Sequence, residues 1–313
     1  MIITNSIYFA LSAIALIVSG IYLVKSLSSI ARYLGISEFS AAFIIMAFAT
    51  SIPELFVGIS SALSGNSALS LGNIIGANII DLTLITGIII LGAKQIKFKS
   101  RRLGNDTYFM LIAILFLILL YSLGNQLSRI DGVLLIGLFS FHVYRVFKKR
   151  KKYKKAATIR NHKPKRFWAL IIFLLSLIGL FISSTFAVKY ATNLAIDLNL
   201  PNIMIGLFLL ALATTLPELI FGISATHMRH KEMAIGDQIG TIVANTLLVL
   251  GIVAIISPIQ AEFSQFIISS IFMFVSAFIL VTFIKTGKKL EKSEGISLIL
   301  IYVLFIVIEL FLK

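Results

Sequence analysis

Ten apolar stretches, each close to the length of a bilayer-spanning helix, follow one another along this chain with little between them. They lie near residues 7–24, 37–63, 67–93, 107–123, 130–147, 167–190, 202–227, 232–257, 264–284 and 295–312. A spanning helix needs roughly 20 mostly apolar residues. With 58% hydrophobic residues and a mean hydropathy of +1.01, the chain is too apolar for a domain whose surface faces water. The expected fold class is an all-α polytopic membrane protein with ten transmembrane helices. No basic residue precedes the first stretch, and its apolar run continues to Lys25, so it reads as a retained span rather than a secretory signal. The chain has no cysteine, which excludes disulfides, thiolate metal sites and a cysteine nucleophile.

A formal charge of +15 could suggest a nucleic-acid binder, but the charge follows topology instead. Suppose the loop KKRKKYKKAATIRNHKPKR (148–166) is cytoplasmic. Ten spans then put Lys25, Arg32, residues 94–102, Arg229, Lys231 and residues 285–292 on the same side. Of 28 Lys and Arg, only Arg129, Lys189 and Lys313 fall outside, the asymmetry expected of cytoplasmic loops. The reading is a multi-pass cell-membrane protein with both termini extracytoplasmic, no nucleic-acid partner and no obligate protein partner. The basic loop is expected to touch anionic lipid headgroups.

Shifted by 164 residues, the chain matches itself. Ala47, Thr50, Pro53, Glu54, Leu55, Gly58, Ile59 and Ser60 align with Ala211, Thr214, Pro217, Glu218, Leu219, Gly222, Ile223 and Ser224; Gly72, Ile75, Gly76 and Gly87 align with Gly236, Ile239, Gly240 and Gly251. Apolar bias explains matched Leu and Ile but not Pro-Glu and the glycines, so this is an internal duplication. Five spans per copy force the second copy to enter the membrane from the opposite side. The expected architecture is two inverted-topology five-helix repeats, residues 1–147 (duplicated segment about 41–88) and 167–313 (about 205–252), joined by the basic linker 148–166. Inverted repeats with a polar midplane site are characteristic of secondary transporters.

Four acids lie well inside predicted spans, Glu54, Asp81, Glu218 and Asp237, and each ionised carboxylate at the bilayer centre costs at least ~2.5–3.5 kcal/mol. No Lys or Arg lies deep in a span to neutralise them, which leaves a bound cation or a proton. Pro53 and Pro217 have no N–H, so the carbonyls of Ala49 and Ala213 lose their helical donors, and those of Ala47 and Ala211 are free to turn from the axis. Thr50, Ser51 and Glu54 share one helix face, as do Thr214, Thr215 and Glu218. In helices 3 and 8, Asn73, Ala77 and Asp81, and Asp237, Thr241 and Asn245, each form a stripe at every fourth residue. The glycine pairs Gly72/Gly76 and Gly236/Gly240 beside these stripes would allow close helix approach.

Carboxylates, hydroxyls and carbonyls together are the donor set of a hard cation such as Ca²⁺. The absence of His and Cys argues against zinc, copper or iron. The alternative for the glutamates is a protonated carboxyl hydrogen-bonded across helices. Ser60, Ser224, Thr83 and Thr246 are read as bonding their own helices, and Gly58, Gly222, Gly87 and Gly251 as packing glycines. His142, His162, His227 and His230 are placed at headgroup level, and Trp168 with nearby Phe residues in an interfacial belt.

At these residues the sequence resembles the sodium/calcium exchangers of the cation/calcium exchanger superfamily, of prokaryotic type. Their paired motifs read here as ATSIPEL with GNIIGANIID, and ATTLPEL with GDQIGTIVAN. The resemblance covers the whole ten-span layout. It implies that Glu54 and Glu218 coordinate Ca²⁺ and share Na⁺ sites. Ala47, Thr50, Ser51, Ala211, Thr214 and Thr215 would complete those sites, with Ala77, Asp81, Thr241 and Asn245 lining the cavity and Asp237 and Asn73 accessory. The chain departs from the pattern where many members have an amide at the position of Asp81, an acid at Asn245, a serine at Ala77 and an asparagine at Asp237.

The expected function is therefore secondary antiport of Ca²⁺ against Na⁺ by alternating access at a midplane carboxylate site, without an enzymatic step or a cofactor. The alternatives are H⁺/Ca²⁺ exchange, K⁺-dependent Na⁺/Ca²⁺ exchange and, from another class, an intramembrane hydrolase, for which no span offers a nucleophile with a His base. Helices 1 and 6 have few midplane polar groups and are the pair expected to slide against the core.

Overall fold

The computed structural model of the protein describes residues 2–34, 36–65, 67–97, 103–148, 163–197, 211–260, 263–287 and 289–312. They are almost wholly helical, as a chain in lipid must be if its backbone groups are to be satisfied within each segment. Helix α1 is Ile2–Leu34. Helix α2, Glu38–Thr50, is followed by α3, Ile52–Leu63; then come α4 (Ser67–Ile80), α5 (Thr86–Ala93), α6 (Leu103–Gly124) and α7 (Arg129–Lys148). The second copy contains α8 (Lys163–Asp197), α9 (Ala211–His227), α10 (Lys231–Val243), α11 (Leu250–Ile256), α12 (Phe263–Gly287) and α13 (Lys292–Leu312). Among the described residues, five helices are each long and apolar enough to cross a bilayer, and the bent pair α2–α3 makes a sixth. All ten expected stretches are represented by helix; the first part of the seventh, 202–210, lies outside the described residues, as does 149–162 of the linker.

Among the described residues, three spans carry a π-helical turn: Ala42–Met46 within α2, Asp81–Ile85 between α4 and α5, and Ala244–Val249 between α10 and α11. Each widens the helix by one residue without ending it, a device concentrated at functional positions.

The duplication is visible in the contacts. A Cβ on Gly58 would meet Val253, and one on Gly222 would meet Ile89, positions exchanged by the 164-residue shift. Gly87 abuts Gly295 and Ile299 as Gly251 abuts Gly132 and Ile136. Even the backbone bridges repeat: Ile96 pairs with Leu290 in a short antiparallel ribbon, Gln95–Lys97 against Lys289–Glu291, and Leu127 pairs with Ile259. All four positions read as packing glycines are therefore close-contact sites, the way helices bind where lipid removes the hydrophobic drive between them. On the exposed ribbon, a hydrogen bond and charge from Lys289 hold the Glu291 carboxyl below its usual range, an ion pair that contributes little to stability.

The core is formed by spans 3 and 8: 78% of the most apolar window is buried in both Ser70–Ala93 and Lys231–Ile256, against 22% in α1. Helices α1 and α8 run antiparallel at the periphery, tied by Tyr8 stacked on Tyr190 and by the Asn5 amide donating to Asp197 at 2.8 Å. This pair meets the core where Gly20 lets α1 approach Ile220 and Ser224 of α9. His142, expected at headgroup level, is buried within the protein: it stacks on Phe109 with ring centroids 3.7 Å apart and lies 3.7 Å from Asp106 in the first turn of α6. Phe43 and Phe109 form an aromatic slot around it. His162 lies outside the described residues; His227 is exposed.

Candidate cation site

The first half of the site is built by a helix break. Helix α2 ends at Thr50, Ser51 caps it with φ −75° and ψ 0°, and Pro53 stands in the first turn of α3, where its missing N–H costs nothing. The two helices meet at 41°. Glu54 thus enters from the N-terminal turn of α3, where the helix dipole favours negative charge. The carbonyl of Ala47 does not turn fully away, because it accepts the Ser51 N–H at 3.1 Å and the Thr50 hydroxyl at 3.3 Å. The second half differs: Pro217 is carried inside the continuous helix α9. The side chains of Ala211 and Thr214 lie outside the described residues.

Twelve of the fourteen residues singled out from the sequence can be placed. Ala47, Thr50, Ser51, Glu54, Ala77, Asp81, Thr215, Glu218, Asp237, Thr241 and Asn245 are all buried, none more than 5% exposed; Asn73 is half-buried. The two repeats meet directly where the Thr50 hydroxyl lies 3.3 Å from that of Thr241. By the internal shift, the partner of Thr214 would be Ala77, which has no hydroxyl. Both oxygens of Glu218 and of Asp237, Oε2 of Glu54, Oδ1 of Asp81, Oδ1 of Asn245 and Oγ of Ser51 are buried without a hydrogen-bond partner. Apart from the Ser51 hydroxyl, these atoms can only accept when the acids are ionised, and no described Lys, Arg or His bonds them. Uncompensated buried acceptors are costly, and a cation is what such a set accommodates. Glu54, Asp81 and Asp237 all lie within charge–charge range of Glu218. No three acidic or histidine side chains among the described residues converge tightly enough to hold a metal ion by themselves. Hydroxyls and carbonyls would have to complete any shell.

Asp81 opens one of the π turns and Asn245 lies in another. The Thr86 hydroxyl bonds the Asp81 carbonyl at 2.6 Å, five residues back. Sequence reasoning missed Asn78, which donates to Thr246 Oγ1 at 3.1 Å and accepts from Asn245 Nδ2 at 3.2 Å, joining the repeats at the core. Its signal was present in GNIIGANIID, but it lies one residue off the stripe of fours. Thr246 is therefore a cross-helix partner rather than a residue bonding its own helix, whereas Thr83 bonds Ile79 as expected. The glycine pairs also diverge. Gly236 and Gly240 pack against the backbones of Phe39 and Phe43, but nothing described lies within 4 Å of a Cβ at Gly72 or Gly76. The positions that would cover them by the internal shift, Ile203 and Leu207, lie outside the described residues.

An all-helical, multi-pass membrane protein of two inverted repeats, with oxygens gathered where they meet, has the architecture of a secondary transporter. A profile of the family described as sodium/calcium exchanger protein matches residues 4–148 and 168–311. The chain belongs to that family. It is 28% identical to the sodium/calcium exchanger MaX1 of Methanosarcina acetivorans, over 98% of this chain and 99% of the relative. It is 30% identical to the putative antiporter CaxA of Alkalimonas amylolytica, over 81% of each. Its fold superposes on the solved sodium-calcium exchanger NCX_Mj with a TM-score of 0.83 and 26% identity, over 98% of this chain and 99% of that one. These relatives are named as exchangers or antiporters, not as enzymes.

Proposed function

We propose that the protein exchanges Ca²⁺ for Na⁺ across the membrane by alternating access, with Glu54 and Glu218 as the shared ligands for which the two cations compete. The observation that carries this reading is the pair of symmetry-related buried glutamates, with Oε2 of Glu54 and both oxygens of Glu218 unpartnered by any described side chain. Thr50, Ser51, Thr215 and Thr241 supply hydroxyls to a hard cation, and Ala47 supplies its carbonyl when the Thr50 hydroxyl bonds Met46 instead. Ala211 and Thr214 are assigned the same roles by the duplication, Asp81, Asn245 and Ala77 line the cavity, and Asp237 and Asn73 are accessory. A site carrying several uncompensated carboxylates crosses between the two access states only when cations neutralise it, and exchange follows from that competition. The residues 1–147 and 167–313 are the two repeats, and the linker 148–166 lies on the cytoplasmic face against anionic lipid, with both termini outside. Na⁺-driven uptake of ⁴⁵Ca²⁺ into proteoliposomes, with no pH gradient, is the expected result; uptake that ignores Na⁺ would overturn the assignment of the counter-ion.

Proton/calcium exchange is the second reading, favoured by Asp237, which adds a fully buried carboxylate with two partnerless oxygens. A pH gradient alone would then drive uptake. Under either reading, Asp81→Asn is expected to retain ⁴⁵Ca²⁺ exchange while changing its dependence on the counter-ion gradient by about tenfold or more, since the Coulomb energy of one carboxylate near a bound ion is on the order of 1–4 kcal/mol. An unaltered Na⁺ titration in that variant would remove Asp81 from the site.

A further inference from the structure

On the face that carries the linker, three elements meet at one carboxylate. Glu38 begins α2; its Oε1 accepts the Ser28 hydroxyl of α1 at 2.7 Å, and its Oε2 lies 2.7 Å from Nδ1 of His230, which precedes α10. The peripheral helix α1 is thereby tied to a core helix through one acid and one imidazole. The His230 and Glu38 side chains are 26% and 35% exposed and border a cavity of about 610 Å³, so protons reach them from the aqueous phase. The surrounding charges are of both signs: Lys94 and Lys97 from the ribbon segment, and Arg229, Lys231 and Glu232 beside His230. Lys231 is occupied by the carbonyls of Ala93 and Gln95, at 2.8 and 2.7 Å. On α1, Arg32 bonds Ser29; on α6, Asp106 faces His142.

The other copy lacks this chemistry. At the 164-residue shift, Ser28, Glu38 and His230 correspond to Thr192, Asn202 and Asn66, none of which titrates near neutral pH. At the far end of α1 the tie to α8 is Asn5 to Asp197, again without an imidazole. Histidine is the side chain whose charge ordinarily changes in the physiological range.

We propose that Ser28, Glu38 and His230 form a proton-strengthened latch that holds α1 against the core on the linker face only. The latch rests on the exchange reading given above, because it acts on the helix expected to slide. With His230 protonated, the bond to Glu38 becomes charge-assisted and stronger. Acid on that face therefore holds α1 in the arrangement described here, and exchange slows; alkali loosens it. Glu38 is a positioning residue, acting on the cation site through α1.

The test uses the full chain in proteoliposomes sorted by access of protease to the linker. Lowering the pH on the linker face from 8 to 6 is expected to slow Na⁺-driven ⁴⁵Ca²⁺ flux about two- to fivefold, the range of a partly exposed ion pair. His230→Gln and Glu38→Gln are expected to lose that component while retaining flux at pH 8. An equal response from the opposite face, or one that persists in both variants, would overturn the latch. A second readout needs no transport: the chain has no cysteine, so spin labels on Ser29→Cys and Lys94→Cys report the distance from α1 to the core. One narrow distance at pH 6 that broadens at pH 8, except in the His230→Gln background, supports the latch, and a distribution indifferent to pH rejects it. Absence of Na⁺-driven flux in the unaltered chain would count against the exchange reading and leave the spin-label result to decide the latch.

Discussion

Glu54→Gln is expected to abolish Ca²⁺ transport, lowering ⁴⁵Ca²⁺ flux by more than about 100-fold, and Glu218→Gln is expected to do the same. The carboxamide keeps the size of the side chain but removes the charge and replaces one acceptor with a donor. Removing one member of a buried charge pairing typically costs ~3–5 kcal/mol, which accounts for the expected factor. Folding is expected to survive, because neither glutamate neutralises a described basic group and both have oxygens without partners. Elution profile and thermal unfolding in detergent should therefore match the unaltered protein. Flux within about threefold of normal in either variant would exclude that glutamate as a ligand. The two variants also test the internal symmetry: a large effect at one and none at the other would mean that only one repeat binds cations.

Gly240→Ala should damage the fold itself. The added Cβ would overlap the Phe43 carbonyl and fall 2.7 Å from the Ala47 Cβ, and a backbone oxygen in a helix cannot swing aside as a long side chain can. Overpacking of this kind costs ~1–3 kcal/mol. It would be felt directly at the site, since Ala47 begins the turn that ends at Thr50 and Thr241 follows Gly240. The expected result is a fall in melting temperature of roughly 5 °C together with reduced transport. Gly92→Ala is the control. Nothing described lies within 4 Å of a Cβ there, and alanine is the better helix former by about 1 kcal/mol, so stability should be unchanged or slightly raised. Equal behaviour of the two variants would contradict the close approach of α10 to α2.

The duplicated Pro-Glu segments were legible because a rare event repeated: proline beside glutamate inside an apolar run is improbable once and far more so twice at a constant shift. Asp81, Thr241 and Asn245 were legible because helical spacing of four groups them on one face. Asn78 escaped that rule because it lies one residue off the stripe, and its role comes from contacts across helices with Thr246 and Asn245. The π turns at Asp81–Ile85 and Ala244–Val249 rotate the residues around them, and no composition signal marks where such a turn falls. The two glycine pairs read identically in sequence, yet the contacts that make Gly236 and Gly240 obligatory come from Phe39 and Phe43, distant in the chain. The burial of His142 was hidden for the same reason, its aromatic slot being assembled from α2, α6 and α7.

From the amino-acid order alone came the all-helical class, the inverted duplication and the identity of the buried acids, because lipid forces each spanning segment to satisfy its own backbone and leaves each unneutralised carboxylate in need of a cation or a proton. Only the folded chain decided which hydroxyls and amides meet across the two copies, as Thr50 does with Thr241 and Asn78 with Asn245. It alone brought Ser28, Glu38 and His230 together. Those pairings depend on the angle and rotation at which helices pack, which are set by contacts between residues some 170 to 190 positions apart.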